Sequence, residues 1–367
     1  MGKKLFTEAE IDALPTILDV VEMMSAGENQ LILPMVTQIP SSDYYDEGRY
    51  NYVSEKNNRS VVHMMPMSQS PFTFYRGQSR YHEPCMPSLY RKNKNGEWPT
   101  EEDIAYNRLK ICEFSLLLDS HPVFREVCHN TLVNYVTMAQ HYGLTTEYMD
   151  ITNSKWVAAF FACTGYEGKT DTYYPVGRDY NEGFGVLYMT DWDVKNMPEE
   201  FVEKNCVIGY QYFARPTKQS SFGYWMNKGE DFNKAPYFKK IFFRHDLDAS
   251  KIVFEMSYRQ KRFIPNDSLS VLTRKIAESK EVTRLAHYRC WENFYPDKDP
   301  TFGDKVCEEK GLKIREDNTP VAKFTDEELA ADWKEWNEFG RADLISRILP
   351  IMPITTIDLT ELSGEKK

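Results

Sequence analysis

Apolar positions along the chain follow two periods, and stretches of each alternate. From Thr7 to Met24 the apolar residues Ile11, Leu14, Leu18 and Val21 recur at helical spacing, interrupted at Pro15. Thr7 and Glu10 stand at the positions of a capping box, which fixes the helix start. The same period predicts a helix over 100–118, with Thr100 as its cap and Asp103 at the third position, and another over 130–141 that ends at Gly143. A helix over 153–162 follows, capped by Thr152, Asn153 or Ser154, with Phe160 and Phe161 packed into the core. Beyond these, 267–292 reads as mostly helical. Residues 325–349 read as one amphipathic helix around Trp333, Trp336, Phe339, Leu344 and Ile348.

Period-two and short apolar runs predict strands at 30–36, 71–78, 144–152, 185–190, 206–213, 239–244 and 251–254. The polar, tyrosine-rich 40–58 reads as a long loop over the body, and 165–183 as an insertion loop. Strands and helices mix without strict βαβ alternation. The fold class expected is therefore α+β: a mixed, mainly antiparallel central sheet with flanking helices and a helical C-terminal region.

The run Phe72-Thr-Phe-Tyr75-Arg76-Gly77-Gln78 organises the rest. An arginine at the end of a buried strand is costly to bury without an anionic partner. Two partners suit Arg76: the carboxylate of Asp150, which makes it structural, or the phosphate of a ligand, which makes it the centre of a site.

Composition narrows the function. With 367 residues and a hydrophobic fraction of 41%, the chain has ample material for a core. A net charge of −10 argues against a surface devoted to gripping a nucleic-acid backbone. The seven cysteines include no Cys-x-x-Cys pair, which argues against a zinc ribbon or a closed disulfide framework. Histidine spacing supports no metal site, and neither a Gly-x-Ser-x-Gly elbow nor a phosphate-cradling Gly-x-x-x-x-Gly-Lys motif occurs. The charged N-terminus and the lack of a bilayer-length apolar run predict a cytoplasmic protein with no membrane partner.

Separated stretches together resemble the FRG domain, a family named for a Phe-Arg-Gly signature. The first is Tyr75-Arg76-Gly77-Gln78, continued by Pro87-Ser88-Leu89 and Arg91, with Tyr75 in place of the family's phenylalanine. The second is Gln140-His141-Tyr142-Gly143-Leu144, then Thr146, Asp150, Thr152 and Ala159-Phe160-Phe161-Ala162. It departs from the family pattern at Thr145, Glu147 and Ile151, where proline, arginine and tryptophan are usual. The third is Arg215, Gln219 and Phe222, with Ser221 where glycine is expected. The resemblance implies an N-terminal extension over 1–65, an FRG domain over 66–266 and a helical extension over 267–367. It implies a bacterial protein of the kind found with mobile elements and phage defence, with a toxin or effector role. By analogy of fold it is similar to the core of ADP-ribosyltransferases, with NAD as substrate and no metal.

On that reading Arg76 grips a pyrophosphate, since guanidinium is planar, permanently charged and bidentate. Gln78 hydrogen-bonds a ribose or carboxamide, Tyr142 or Tyr148 stacks on a flat ring, and Thr152 lies at a helix N-terminus suited to anions. His141 completes the binding set. Cleaving a glycosidic bond needs a carboxylate near the ribose. Gln219 holds the position where glutamate would serve and cannot carry the charge, which Asp150 or Glu230 could supply from elsewhere; Arg76, Asp150 and Gln219 are the catalytic candidates. Each has a structural counterpart: His141 against its own helix dipole, Asp150 and Thr152 as helix caps, Gln219 as a satisfied core amide. The alternative function is a non-enzymatic module, recognising a protein or nucleic-acid partner. A macromolecular target or a neutralising partner fits the enzymatic reading.

Overall fold

The structure is a computed structural model that describes residues 5–28, 52–56, 59–63, 73–168, 170–191, 198–209, 211–265, 267–299 and 301–348. Its centre is a six-stranded sheet. The strands are β1 (Tyr75–Gln78), β2 (Tyr148–Thr152), β3 (Phe184–Thr190), β4 (Asn205–Val207), β5 (Ser221–Trp225) and β6 (Phe238–Arg244). Their order is β6-β3-β1-β2-β5-β4, and every neighbouring pair is antiparallel. The expected α+β class is the one observed.

Strand β1 therefore lies inside the sheet, between β3 and β2. Its ladder with β3 runs its whole length, from Tyr75 opposite Met189 to Gln78 opposite Val186. With β2 it pairs at one position, Tyr75 opposite Thr152. Past that pair the two strands no longer ladder, and the backbone groups on their facing edges need other partners.

The helices that matter to the site are α1 (Ile17–Glu28), α2 (Glu101–Ser120), α3 (Tyr135–His141), α4 (Lys155–Ala162), α5 (Leu247–Met256), α6 (Ser268–Glu278) and α7 (Arg284–Phe294). Alternation along β3 separates two cores: Leu187 packs with α1, α4 and α5, while Val186 and Tyr188 pack with Met149, Ile151, Phe222 and Tyr224. Helix α4 lies directly on β1. A Cβ added at Gly77 would sit 1.8 Å from the Ala158 carbonyl oxygen, so only glycine permits this approach. A third core joins α2 and α3 to α6, with Phe114, Met138 and Tyr142 touching a cluster that includes Leu269, Leu272 and Ile276. Residues on both sides of position 266 thus share one core. The buried Glu113 of α2 binds this region further, accepting from the main-chain nitrogens of Thr283 and Val321. Among the described residues no helix is long and apolar enough to cross a membrane.

Several local expectations change. Pro15 splits the first helix into Glu8–Asp12 and α1, and the Thr7–Glu10 capping box is present. The helix expected over 130–141 is a helix ending at Asn130 and then α3, because Asn134 accepts from the Thr137 nitrogen and starts a new one. Residues 251–254 are helical within α5, since Asp246 caps a helix there and buries Ala249 and Val253 on one face. The strand expected over 206–213 is limited to β4, and β5 was not foreseen. The insertion loop holds a hairpin, Thr164–Glu167 with Thr172–Pro175, and the end of the 40–58 loop is a strand, Tyr52–Lys56, paired with Arg59–His63. The last helix is divided by a π-helical turn over Trp336–Gly340; Trp336 and Leu344 are buried, but Trp333 and Phe339 are exposed. The strand expected over 30–36 lies outside the described residues.

Candidate functional site

Where β1 and β2 part, a cavity of about 450 Å³ opens. That falls in the range of small-molecule sites, about 300–1,000 Å³. Its walls come from β1, β2, α3, α4, the 164–175 hairpin, the turn before β5, and α6. Of the residues singled out in the sequence, Arg76, His141, Tyr142, Asp150, Thr152 and Gln219 all line it. Gln78 does not line it; its Oε1 accepts from the Cys85 thiol, 3.4 Å away. Glu230 is likewise elsewhere, paired with Lys204 at 2.9 Å, and Tyr148 is not among the lining residues.

Arg76 is half-buried on β1 and its Nη1 donates to the main-chain oxygen of Asp150 at 2.6 Å. This bond occupies a β2 carbonyl where the ladder has stopped. The Nε of Arg76 is buried with no hydrogen-bond partner among the described residues.

The Asp150 carboxylate is thereby left to other groups. Gln140 Nε2 donates to its Oδ2 at 3.2 Å, and Gln140 Oε1 accepts from the Thr146 hydroxyl at 2.6 Å. Asp150 Oδ1 lies 3.3 Å from His141 Nε2, an ion-pair distance without hydrogen-bond alignment. The Asp150 side chain is 40% exposed and lines the cavity, with Oδ1 itself buried.

Gln219, buried at the end of a short helix, fixes the imidazole. Its Nε2 donates to the Phe263 carbonyl at 3.1 Å, which turns its Oε1 toward His141 Nδ1 at 3.3 Å. A carbonyl and an amide oxygen only accept, so His141 carries its proton on Nδ1 and leaves Nε2 toward Asp150. Burial pushes the His141 pKa down, and the neighbouring Asp150 carboxylate partly opposes it. Thr152 has both capacities of its hydroxyl engaged: it donates to the Gln219 carbonyl at 2.7 Å and accepts from the Ser154 nitrogen at 3.0 Å.

Tyr142 is buried beneath Arg215 rather than open to a ring. Its hydroxyl donates to Asp267 at 2.8 Å, burial raises its pKa, and the Arg215 guanidinium lies 5.2 Å above its ring. Arg215 was read in the sequence only as a motif residue. It is 8% exposed, donates to the His141 carbonyl at 3.4 Å, and meets Asp171 Oδ2 at 3.4 Å, while its Nε has no partner among the described residues. Asp171, Tyr166 and Tyr173 come from the hairpin, and Arg274 from α6. Nothing local in the sequence marks them, because their places depend on tertiary packing.

The FRG domain family matches residues 72–171, so this stretch carries an FRG domain. The match includes β1, β2, α3 and α4, the elements that hold Arg76, His141 and Asp150. No curated protein and no solved structure matches the chain.

Proposed function

We propose that this cavity binds a nucleotide, with NAD as the first ligand to try, and that the chain acts on it as an ADP-ribosyltransferase-like or NAD-cleaving effector. One observation carries the reading: an accessible carboxylate, Asp150, opens into the same cavity as two guanidinium groups, Arg76 and Arg215, whose Nε atoms are unpartnered among the described residues. The Arg76 guanidinium suits a pyrophosphate, and Arg215 adds positive charge on the hairpin side of the cavity. Asp150 suits the positive charge that develops at the ribose C1′ as the glycosidic bond breaks and its electron pair leaves with nicotinamide. The incoming nucleophile, water or a group on a target, bonds to C1′ and gives its proton to the His141–Asp150 pair. Gln219 positions His141 in this scheme and carries no charge itself.

Uncharged Gln219 also favours a second reading, a binding module that holds the nucleotide without turnover. Calorimetry with NAD and an assay for released nicotinamide separate the two. Heat with nicotinamide release supports the enzyme, and heat alone supports the module. The absence of both heat and a thermal shift at millimolar NAD would remove the NAD reading.

A further inference from the structure

The cavity is lined by a third guanidinium, Arg274, besides Arg76 and Arg215. Arg76, Arg215 and Arg274 line it against two carboxylates, Asp150 and Asp171. Asp150 is engaged by Gln140 and lies beside His141, so Asp171 is the carboxylate left to the arginines on the hairpin side. Its 3.4 Å contact with Arg215 is long for a charge-assisted bond. Asp171 also spends Oδ1 on the Tyr166 hydroxyl at 2.9 Å. Arg274 is exposed on α6 and makes no hydrogen bond or ion pair among the described residues. Both guanidinium charges act on the Tyr166 hydroxyl, which places Arg215, Arg274, Tyr166 and Asp171 in one cluster.

The hairpin that carries this cluster is firmly held. Gln260 accepts from the Tyr173 nitrogen at 2.7 Å and donates to the Asp171 carbonyl at 3.2 Å. Tyr166 and Tyr173 lie with ring centroids 4.8 Å apart, forming an aromatic wall beside the two arginines. Arg215 and Arg274 both lie beyond the stretch that matches the FRG domain, so the two cations of this cluster come from the rest of the chain while Tyr166 and Asp171 lie within the match.

We propose that Arg215 and Arg274 form a second phosphate subsite, selecting a dinucleotide that carries a phosphate monoester besides its pyrophosphate, of the NADP type. The proposal rests on the nucleotide reading of the cavity and names the class of ligand. A phosphate monoester takes Arg215 from its long contact with Asp171 and engages Arg274 at the mouth. Neither a mononucleotide nor an unphosphorylated dinucleotide uses both.

The test is calorimetry of the wild-type chain and the Arg274→Ala variant with NAD and with NADP, at low and high salt. Arg274 is exposed, so the variant is expected to fold. The expected result is NADP binding about tenfold tighter than NAD, the size of one charge-assisted hydrogen bond. Arg274→Ala should remove most of that advantage and shift NAD affinity by less than about twofold, and added salt should shrink the advantage in the wild type. Equal affinities for NAD and NADP, or an Arg274→Ala variant that weakens both alike, overturn the subsite and leave the nucleotide reading standing. Failure of both ligands to bind overturns the nucleotide reading and the subsite with it.

Discussion

Arg76 meets Asp150 through the main chain, not through the carboxylate: its Nη1 donates to the Asp150 carbonyl oxygen at 2.6 Å. Of the two partners that suited this arginine in the sequence, the carboxylate instead accepts from Gln140 and lies 3.3 Å from His141 Nε2. The guanidinium keeps an unpartnered Nε among the described residues, and its charge is not cancelled by direct pairing. Removing the side chain costs one charged hydrogen bond, about 1.5–3 kcal/mol at most. Arg76→Ala should therefore fold, with a melting temperature a few degrees lower, and lose NAD binding. Arg76→Lys should restore stability better than binding, because an ammonium cannot bridge the Asp150 carbonyl and a phosphate with one fork. Thermal melts beside calorimetry check both; retained binding in Arg76→Ala would make the residue purely structural.

Asp150→Asn tests the carboxylate without emptying its space. Asparagine can still accept from Gln140 and can offer its amide to His141 Nε2, so little stability should be lost. What disappears is the negative charge that the proposed reaction places near the ribose. Nicotinamide release should fall about 100-fold or more, while NAD affinity changes little. A purely structural Asp150 would give the opposite pattern, a lower melting temperature with turnover per folded molecule unchanged.

Gly77 lets α4 lie on β1, and so sets where Arg76 begins. In Gly77→Ala the new methyl would meet the Ala158 carbonyl at 1.8 Å and the Ala162 Cβ at 2.9 Å. Neither is the flexible end of a side chain, so helix and strand must separate. The expected loss is about 1–3 kcal/mol or more, read from urea denaturation. Since β1 would shift with it, ligand binding should fall in the molecules that still fold. A variant as stable as wild type would mean that the strand and helix do not touch as described.

Elements with their own local signal were legible. Capping boxes at Thr7 and Thr100 mark real helix starts, and the apolar run of β3 and the β-branched and aromatic composition of β6 mark real strands. Local signal misled where composition and capping disagreed. Lys251-Ile-Val-Phe254 has strand-forming residues, yet the Asp246 cap makes it helix. The cavity itself was partly legible, since Tyr75, Arg76 and Gly77 of the first motif and Gln140 to Leu144, Asp150, Thr152 and Phe161 of the second converge on it, while Gln78, the 87–91 stretch, Thr146 and the rest of the 159–162 run do not. Arg274 and Asp171 were not, because an exposed arginine on a helix and an aspartate in a polar hairpin look like ordinary surface. The partner of Arg76 was also hidden. It depends on where two strands stop pairing, and the pattern of side chains does not encode that point.

His245 gives a prediction that is independent of any ligand. It is 1% exposed, and its Nε2 lies 2.9 Å from the carbonyl oxygen of Ser79, just past β1. A carbonyl only accepts, so Nε2 carries the proton. Nδ1 is buried with no partner among the described residues. Burial pushes the imidazole pKa down to about 4 from 6.5, opposed by the Ser79 bond and helped by the nearby Arg178 charge. Below pH 6.5 the unfolded chain takes up a proton here that the folded chain refuses. Stability from this group is therefore full above pH 6.5, falls as the pH drops, and levels off near pH 4, a loss of about 3 kcal/mol in all. Burial also lowers the pKa of His82, His121, His141 and His287, so the wild type should lose stability to acid more steeply than one histidine explains. In His245→Gln an amide can keep the donation to Ser79 without titrating. Urea midpoints between pH 7 and 4.5 should then fall less steeply than in the wild type, by one proton's worth of slope. Parallel curves for the two proteins would mean that His245 accepts a proton in the folded state as readily as in the unfolded chain.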